Sequence, residues 1–82
     1  MSATPSFHIL GHAIKQGLRR GFTTDQMIET CRKPDESKAT YPNAKTGVTR
    51  SRHYSRFGSK KLCVVLESTT PPLIVTAYWM NT

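Results

Sequence analysis

The hydrophobic period of this chain changes once. Before Glu36 the apolar residues recur at helical spacing; from Glu36 onward they alternate every second residue between short turn signals. A chain of 82 residues that switches period in this way has room for two helices and one sheet around a single core. The order, helices first and strands after, predicts an α+β fold: two N-terminal helices packed on a four-stranded antiparallel β-meander. No apolar run approaches the ~20 residues of a membrane helix and no signal-peptide pattern opens the chain, so no membrane anchor is expected. Residues 1–6 read as a disordered lead-in, the cut edge of a larger parent protein, and residues 7–82 as the single folded domain.

The local signals fill in this outline. Phe7 to Arg20 carries the first helical pattern, with Leu10, Ile14, Gly17 and Leu18 on one side and Ala13 flanking. Gly21 follows Arg19-Arg20 and suits a left-handed C-terminal cap, with cations in the last turn favoured by the helix dipole. Thr23-Thr24-Asp25-Gln26 has the spacing of a capping box, so a second helix starts there and buries Met27, Ile28 and Cys31 ahead of Pro34. Strands are expected at Lys38–Tyr41, Val48–Phe57, Lys61–Ser68 and Leu73–Met80. They are separated by Ala44–Gly47, Gly58-Ser59 and Thr70-Pro71-Pro72.

Charge narrows the chemistry. Lys and Arg total 12 against 5 Asp and Glu, a net charge of +7. Such a domain is drawn to polyanions, because each phosphate it neutralises releases a condensed counterion. The carboxylates are Asp25, Glu29, Asp35, Glu36 and Glu67, too few and too bunched to converge on two metal ions for phosphoryl transfer. Cys31 and Cys63 stand alone, with no CxxC or HxxxH ligand pair beside them. Neither a metal site nor a cofactor is expected, and the two thiols suit a reduced compartment or small core positions.

Two cationic patterns could carry chemistry. His8, His12, Lys15 and Arg19 are spaced four, three and four, so on a helix they share one stripe. Taken alone such a stripe is most often a solvated face. Yet positive neighbours disfavour imidazole protonation, and a neutral imidazole beside cations is what a general base facing a phosphodiester requires. If the helix instead begins at Gly11, His8 leaves the stripe and His12 falls in the first turn. On the second strand Arg50, Arg52, Tyr54 and Arg56 alternate onto one face, where guanidiniums repel unless they meet water or phosphate. On the last strand Ile74, Thr76, Tyr78 and Met80 are expected on one face and Leu73, Val75, Ala77 and Trp79 on the other. Thr76 and Tyr78 could then set two hydroxyls beside the arginines.

The same residues resemble a known pattern. His12-Ala13-Ile14, then Arg20-Gly21, Thr24 and a Lys33-Pro34-Asp35-Glu36 helix exit are similar to a family of small bacterial domains. Its first helix runs H-A-x-x-R-x-x-x-R-G, and its last strand is close to V-V-T-A-Y, here Ile74-Val75-Thr76-Ala77-Tyr78. The resemblance spans residues 8–79, with Gln16 standing where the pattern has its first Arg and Lys15 available to supply that charge. These domains resemble the barnase–EndoU–colicin–RelE superfamily of metal-independent ribonucleases, which includes colicin D, toxin–antitoxin nucleases and the C-terminal toxin domains of contact-dependent growth inhibition proteins.

The resemblance implies a helical layer on an antiparallel sheet that grips RNA, tRNA above all. Carried over by position, it implies His12, Lys15, Thr76 and Tyr78 as catalytic residues. His8, Arg19, Arg20, Arg50, Arg52 and Arg56 are expected to hold RNA or its phosphates. The ribose 2′-OH would attack its own phosphate and leave 2′,3′-cyclic phosphate and 5′-OH ends, with His12 moving the proton. It further implies an acidic immunity protein or antitoxin as partner. The expected place of action is the bacterial cytoplasm, after delivery as the C-terminal part of a larger secreted or surface protein. Two rival readings keep the basic surface without catalysis: a nonenzymatic RNA- or DNA-binding module, or a structural partner of an acidic protein. All the catalytic versions share one geometric condition, that the cations of the first helix and of the arginine strand border one trough.

Overall fold

The computed structural model describes residues 7–80; the expected lead-in, residues 1–6, lies outside them, as do residues 81–82. Along the chain come β1 (His8–Ile9), α1 (Gly11–Arg20), α2 (Thr24–Arg32), β2 (Glu36–Thr40), β3 (Arg50–Phe57), β4 (Lys60–Glu67) and β5 (Leu73–Met80). The strands form one five-stranded sheet in the order β1-β5-β4-β3-β2. β2 to β5 are the antiparallel meander read from the sequence. β1 corrects that reading: it adds a parallel edge, pairing His8 with Leu73 and Ile9 with Ile74, and makes the sheet mixed. No helix among the described residues is long and apolar enough to cross a membrane.

The parallel edge also explains why α1 starts late. His8 N–H donates to Pro72 O and Leu10 N–H to Ile74 O, so this backbone is committed to the margin of β5 and the helix begins only at Gly11. His8 therefore leaves the helical stripe. At the other end Gly21 takes φ 85°, and both Gly21 and Phe22 N–H close on Gly17 O. α2 opens with the expected capping box: Gln26 N–H donates to Thr23 Oγ1 (3.1 Å) while Gln26 Oε1 accepts from Thr23 N–H (3.0 Å).

Both helices cover the same face of the sheet, α1 over β5 and α2 over β4 and β3. The core between the layers is Ala13, Phe22, Met27, Leu62, Val64, Ile74 and Ala77, with Trp79 packed at its side. Trp79 meets Phe22 and Phe57 edge-on and donates from Nε1 to Arg20 O at 2.8 Å. Gly17 permits the close return of the chain after α1, since a Cβ there would stand 2.5 Å from Phe22 O. The buried side of α1 is consequently the small pair Ala13 and Gly17. The expected stripe of Leu10, Ile14 and Leu18 is turned to the flank, Leu18 being 83% exposed. Close approach selects the smallest residues of the helix, and the larger aliphatics give way.

β5 carries one irregularity that changes which residues share a face. Val65 pairs with Thr76 but its neighbour Leu66 pairs with Ile74, so Val75 is an extra residue bulged out of the ladder. Beyond the bulge the faces exchange. Ile74 joins Ala77 in the core, and Val75 shares the uncovered face with Thr76, against the strict alternation expected from the sequence.

Candidate nucleic-acid interface

Among the described residues no helix lies on the second face of the sheet, yet that face is built rather than bare. Across β3, β4 and β5 the registers align Arg52–Val65–Thr76 in one row and Tyr54–Cys63–Tyr78 in the next. Cys63 is fully buried, and Tyr54 and Val65 nearly so. Long side chains shelter them: Lys61 Nζ stands 5.6 Å from the centre of the Tyr54 ring, its aliphatic stem free to lie over the apolar floor. Above this floor opens a cavity of about 380 Å³, lined by Arg50, Arg52, Thr76, Tyr78, Val75 and Tyr41 among others.

The structure thus brings together four of the residues picked from the sequence: Arg50, Arg52, Thr76 and Tyr78. Their electrostatics differ. Arg50 is already engaged, its Nε and Nη2 each 2.8 Å from Glu67 Oε2, and Asn43 Nδ2 donates to the same oxygen at 2.8 Å. Asn43 first and Arg50 second hold the Glu67 carboxyl below its ordinary range. Arg52 makes no salt bridge among the described residues. Its contact with the Tyr54 side chain, followed by the Tyr78 phenol, raises its already high pKa, so the guanidinium stays charged. Tyr78 is shifted upward too, chiefly by its contact with Cys63 and then by burial, and so keeps its hydroxyl proton at neutral pH. A fixed cation and two hydroxyl donors around one hollow suit an anionic oxygen.

The other expected residues lie elsewhere. His12, Lys15 and Arg19 are exposed on α1, which packs through Ala13 and Gly17 on the helix-covered face, and none of the three lines the cavity. The shared trough expected from the sequence is therefore divided by the sheet: arginines and hydroxyls on one side, the imidazole-bearing helix on the other. The reason is alternation along the strands: Leu62, Val64, Ile74 and Ala77, which the helices cover, lie on the face opposite Arg52, Thr76 and Tyr78. His8 is exposed on β1, and Arg20, exposed at the end of α1, contributes its carbonyl to Trp79. Arg56 stays on the arginine face but opposite Lys61, outside the cavity. His53 faces the helix side between two hydroxyls, Ser37 Oγ at 2.9 Å from Nδ1 and Ser51 Oγ at 2.8 Å from Nε2, and burial lowers its pKa.

Two residues escaped the sequence reading. Tyr41, read only as a strand end, lines the cavity with 88% of its surface exposed. Glu67, counted only among scarce carboxylates, is 6% exposed and anchors Arg50. A lone carboxylate directly after the apolar run Leu62–Leu66 was the one available hint, since a buried Glu needs a cationic partner. Both cysteines are free thiols, and burial pushes Cys31 up to about 12, which leaves it unreactive at neutral pH. Comparison with family models, with curated proteins and with solved structures finds no match to this chain.

Proposed function

We propose that the protein acts on RNA, gripping it on the uncovered face of its sheet. The observation that carries this reading is the cavity shared by Arg50, Arg52, Thr76 and Tyr78. Arg52 supplies a guanidinium fork that no carboxylate among the described residues engages, and Thr76 and Tyr78 supply hydroxyl donors for phosphate or ribose oxygens. The +7 net charge adds long-range attraction for any polyanion.

Cleavage is the second reading; the single trough it was expected to use is divided by the sheet, so it requires RNA to wrap the margin of β5, and one observation favours that path. α1 lies over β5, the strand that bears Thr76 and Tyr78, and β1 borders that strand only at Leu73 and Ile74. RNA carried from the open face over this margin would meet His12 and Lys15. Proton transfer has to come from there, because the cavity itself offers no imidazole and the Glu67 carboxylate is already bound by Asn43 and Arg50. The reaction would be a metal-independent attack of the 2′-OH on the adjacent phosphate. The 2′-OH proton would pass to His12 and a proton would return to the leaving 5′-oxygen, giving 2′,3′-cyclic phosphate and 5′-OH ends. On this reading the protein is a tRNA nuclease toxin of the bacterial cytoplasm. It would be delivered on a larger secreted or surface protein and restrained by an acidic immunity protein or antitoxin.

One experiment separates the two. The protein is incubated with total tRNA in EDTA, and the products are run on denaturing and native gels. Fragments with cyclic phosphate ends, lost in His12→Ala, establish the nuclease. Intact tRNA with a salt-sensitive shift, lost in Arg52→Ala, establishes binding alone. Absence of any shift at low salt defeats both and favours an acidic protein partner.

A further inference from the structure

We propose that the groove selects single-stranded over double-stranded RNA, with Tyr41 and Tyr78 each receiving one unstacked base on either side of Arg52. This inference rests on the RNA reading above and assigns the class of substrate.

The geometry begins with a second cavity. It has a volume of about 450 Å³ and shares Thr40, Tyr41, Pro42 and Arg52 with the first. The two hollows form one trough that runs across the strands, from Thr76 and Tyr78 on β5, over Arg52 on β3, to the end of β2 at Ala39. β4 separates Arg52 from Thr76, a span of about 10 Å at ~4.8 Å per strand. An aromatic ring therefore stands on each side of a guanidinium. That alternation fits two bases with the intervening phosphate on Arg52.

Tyr41 is held out by its surroundings. Pro42 confines it to extended backbone. Asn43 then ties the following turn together: its Oδ1 accepts from Lys45 N–H at 2.8 Å and Thr46 N–H at 3.3 Å, and Gly47 N–H closes on Asn43 O at 2.7 Å. The Asn43 amide then reaches Glu67, and through it Arg50, so the turn that presents Tyr41 is fastened to the arginine strand. Arg50 emerges as a positioning residue for this ring more than as a phosphate ligand. With the turn that carries the ring already ordered, less backbone freedom is lost when a base settles on it. A duplex, with its bases already stacked on one another, offers no face to either tyrosine.

Equilibrium binding tests this directly. The probes are a labelled single-stranded 2′-O-methyl oligonucleotide, which cannot be cut by its own 2′-OH, a hairpin duplex of equal charge, and polyphosphate. The single strand should bind most tightly. Tyr41→Ala should weaken it about 5- to 150-fold, the usual range for losing one base–aromatic stack, with duplex and polyphosphate unchanged. Tyr41→Phe should restore it, and unchanged melting in both variants shows that the fold is intact. Equal affinity for single strand and duplex overturns the inference. So does a Tyr41→Ala variant that leaves single-strand affinity intact or weakens all three probes alike. RNA binding that persists in these cases leaves the functional reading standing; failure of every probe to bind removes that reading as well.

Discussion

The two faces of the sheet solve different problems with neighbouring residues of the same strands. On β4, Leu62 and Cys63 are adjacent and both fully buried. Leu62 is covered by the helical layer, among Ala13, Met27, Ile74 and Ala77. Cys63 lies on the other face between Tyr54 and Tyr78, with Arg52 and Lys61 in the neighbouring rows. The first face is closed by backbone and apolar contact, and its energy is that of burial. The second is closed by side chains rather than by a further layer of backbone, and a cavity opens on it. The division leaves the fold to one face and the proposed RNA binding to the other.

Mutations should expose that division in order of size. Leu62→Ala should cost about 2–5 kcal/mol and lower the melting temperature by roughly 8 °C or more, with RNA affinity of the folded fraction unchanged. Cys63→Ala, one residue along, should cost only about 1 kcal/mol. Equal losses in thermal melts would erase the distinction between the faces. Within α1, Gly17→Ala forces a Cβ to within 2.5 Å of Phe22 O and should destabilise by about 1–3 kcal/mol. Gly11→Ala, with nothing within 4 Å of the new Cβ, should be neutral or stabilise by about 0.4–1 kcal/mol.

Smaller effects belong to the open face. Glu67→Gln removes the charge from the Asn43–Glu67–Arg50 link and should cost about 1–2 kcal/mol at neutral pH. Because the Glu67 pKa is depressed in the folded protein, its contribution is complete above its unfolded value near 4.5 and is lost as pH falls through the lower folded one. Wild type and variant should therefore converge in melting temperature below about pH 4.5, and a constant gap down the acid limb would contradict the assignment. Arg52→Ala should change stability least, within about 0.5 kcal/mol, while weakening RNA binding about tenfold or more.

Parts of this division are legible in the sequence and parts are not. The capping box at Thr23 and Gln26 and the β-branched run Leu73–Met80 are local signals, and each element forms where its signal lies. The meeting of Arg50 and Arg52 with Thr76 and Tyr78 follows from alternation plus short turns. β1 is silent, because two residues of parallel pairing have no period. The bulge at Val75 is silent as well, since alternation cannot announce its own interruption. Periodicity gives a helix an apolar side but not the part of it a sheet will accept, so Ala13 and Gly17 make the contact while Leu10, Ile14 and Leu18 turn to the flank; nor does it say which sheet face the helices cover, here the one opposite Arg52. Tyr41 and Glu67 matter through a register that joins Asn43 to β4 across more than twenty residues, and no local pattern encodes that.

RNA seated on the uncovered face should be visible by amide chemical-shift mapping with a single-stranded 2′-O-methyl oligonucleotide. Saturable shifts should centre on residues 39–45 (Pro42, which has no amide proton, excepted), 50–52 and 75–78, with those of α2 unmoved. Shifts confined to the helical layer, or none at low salt, would contradict that placement.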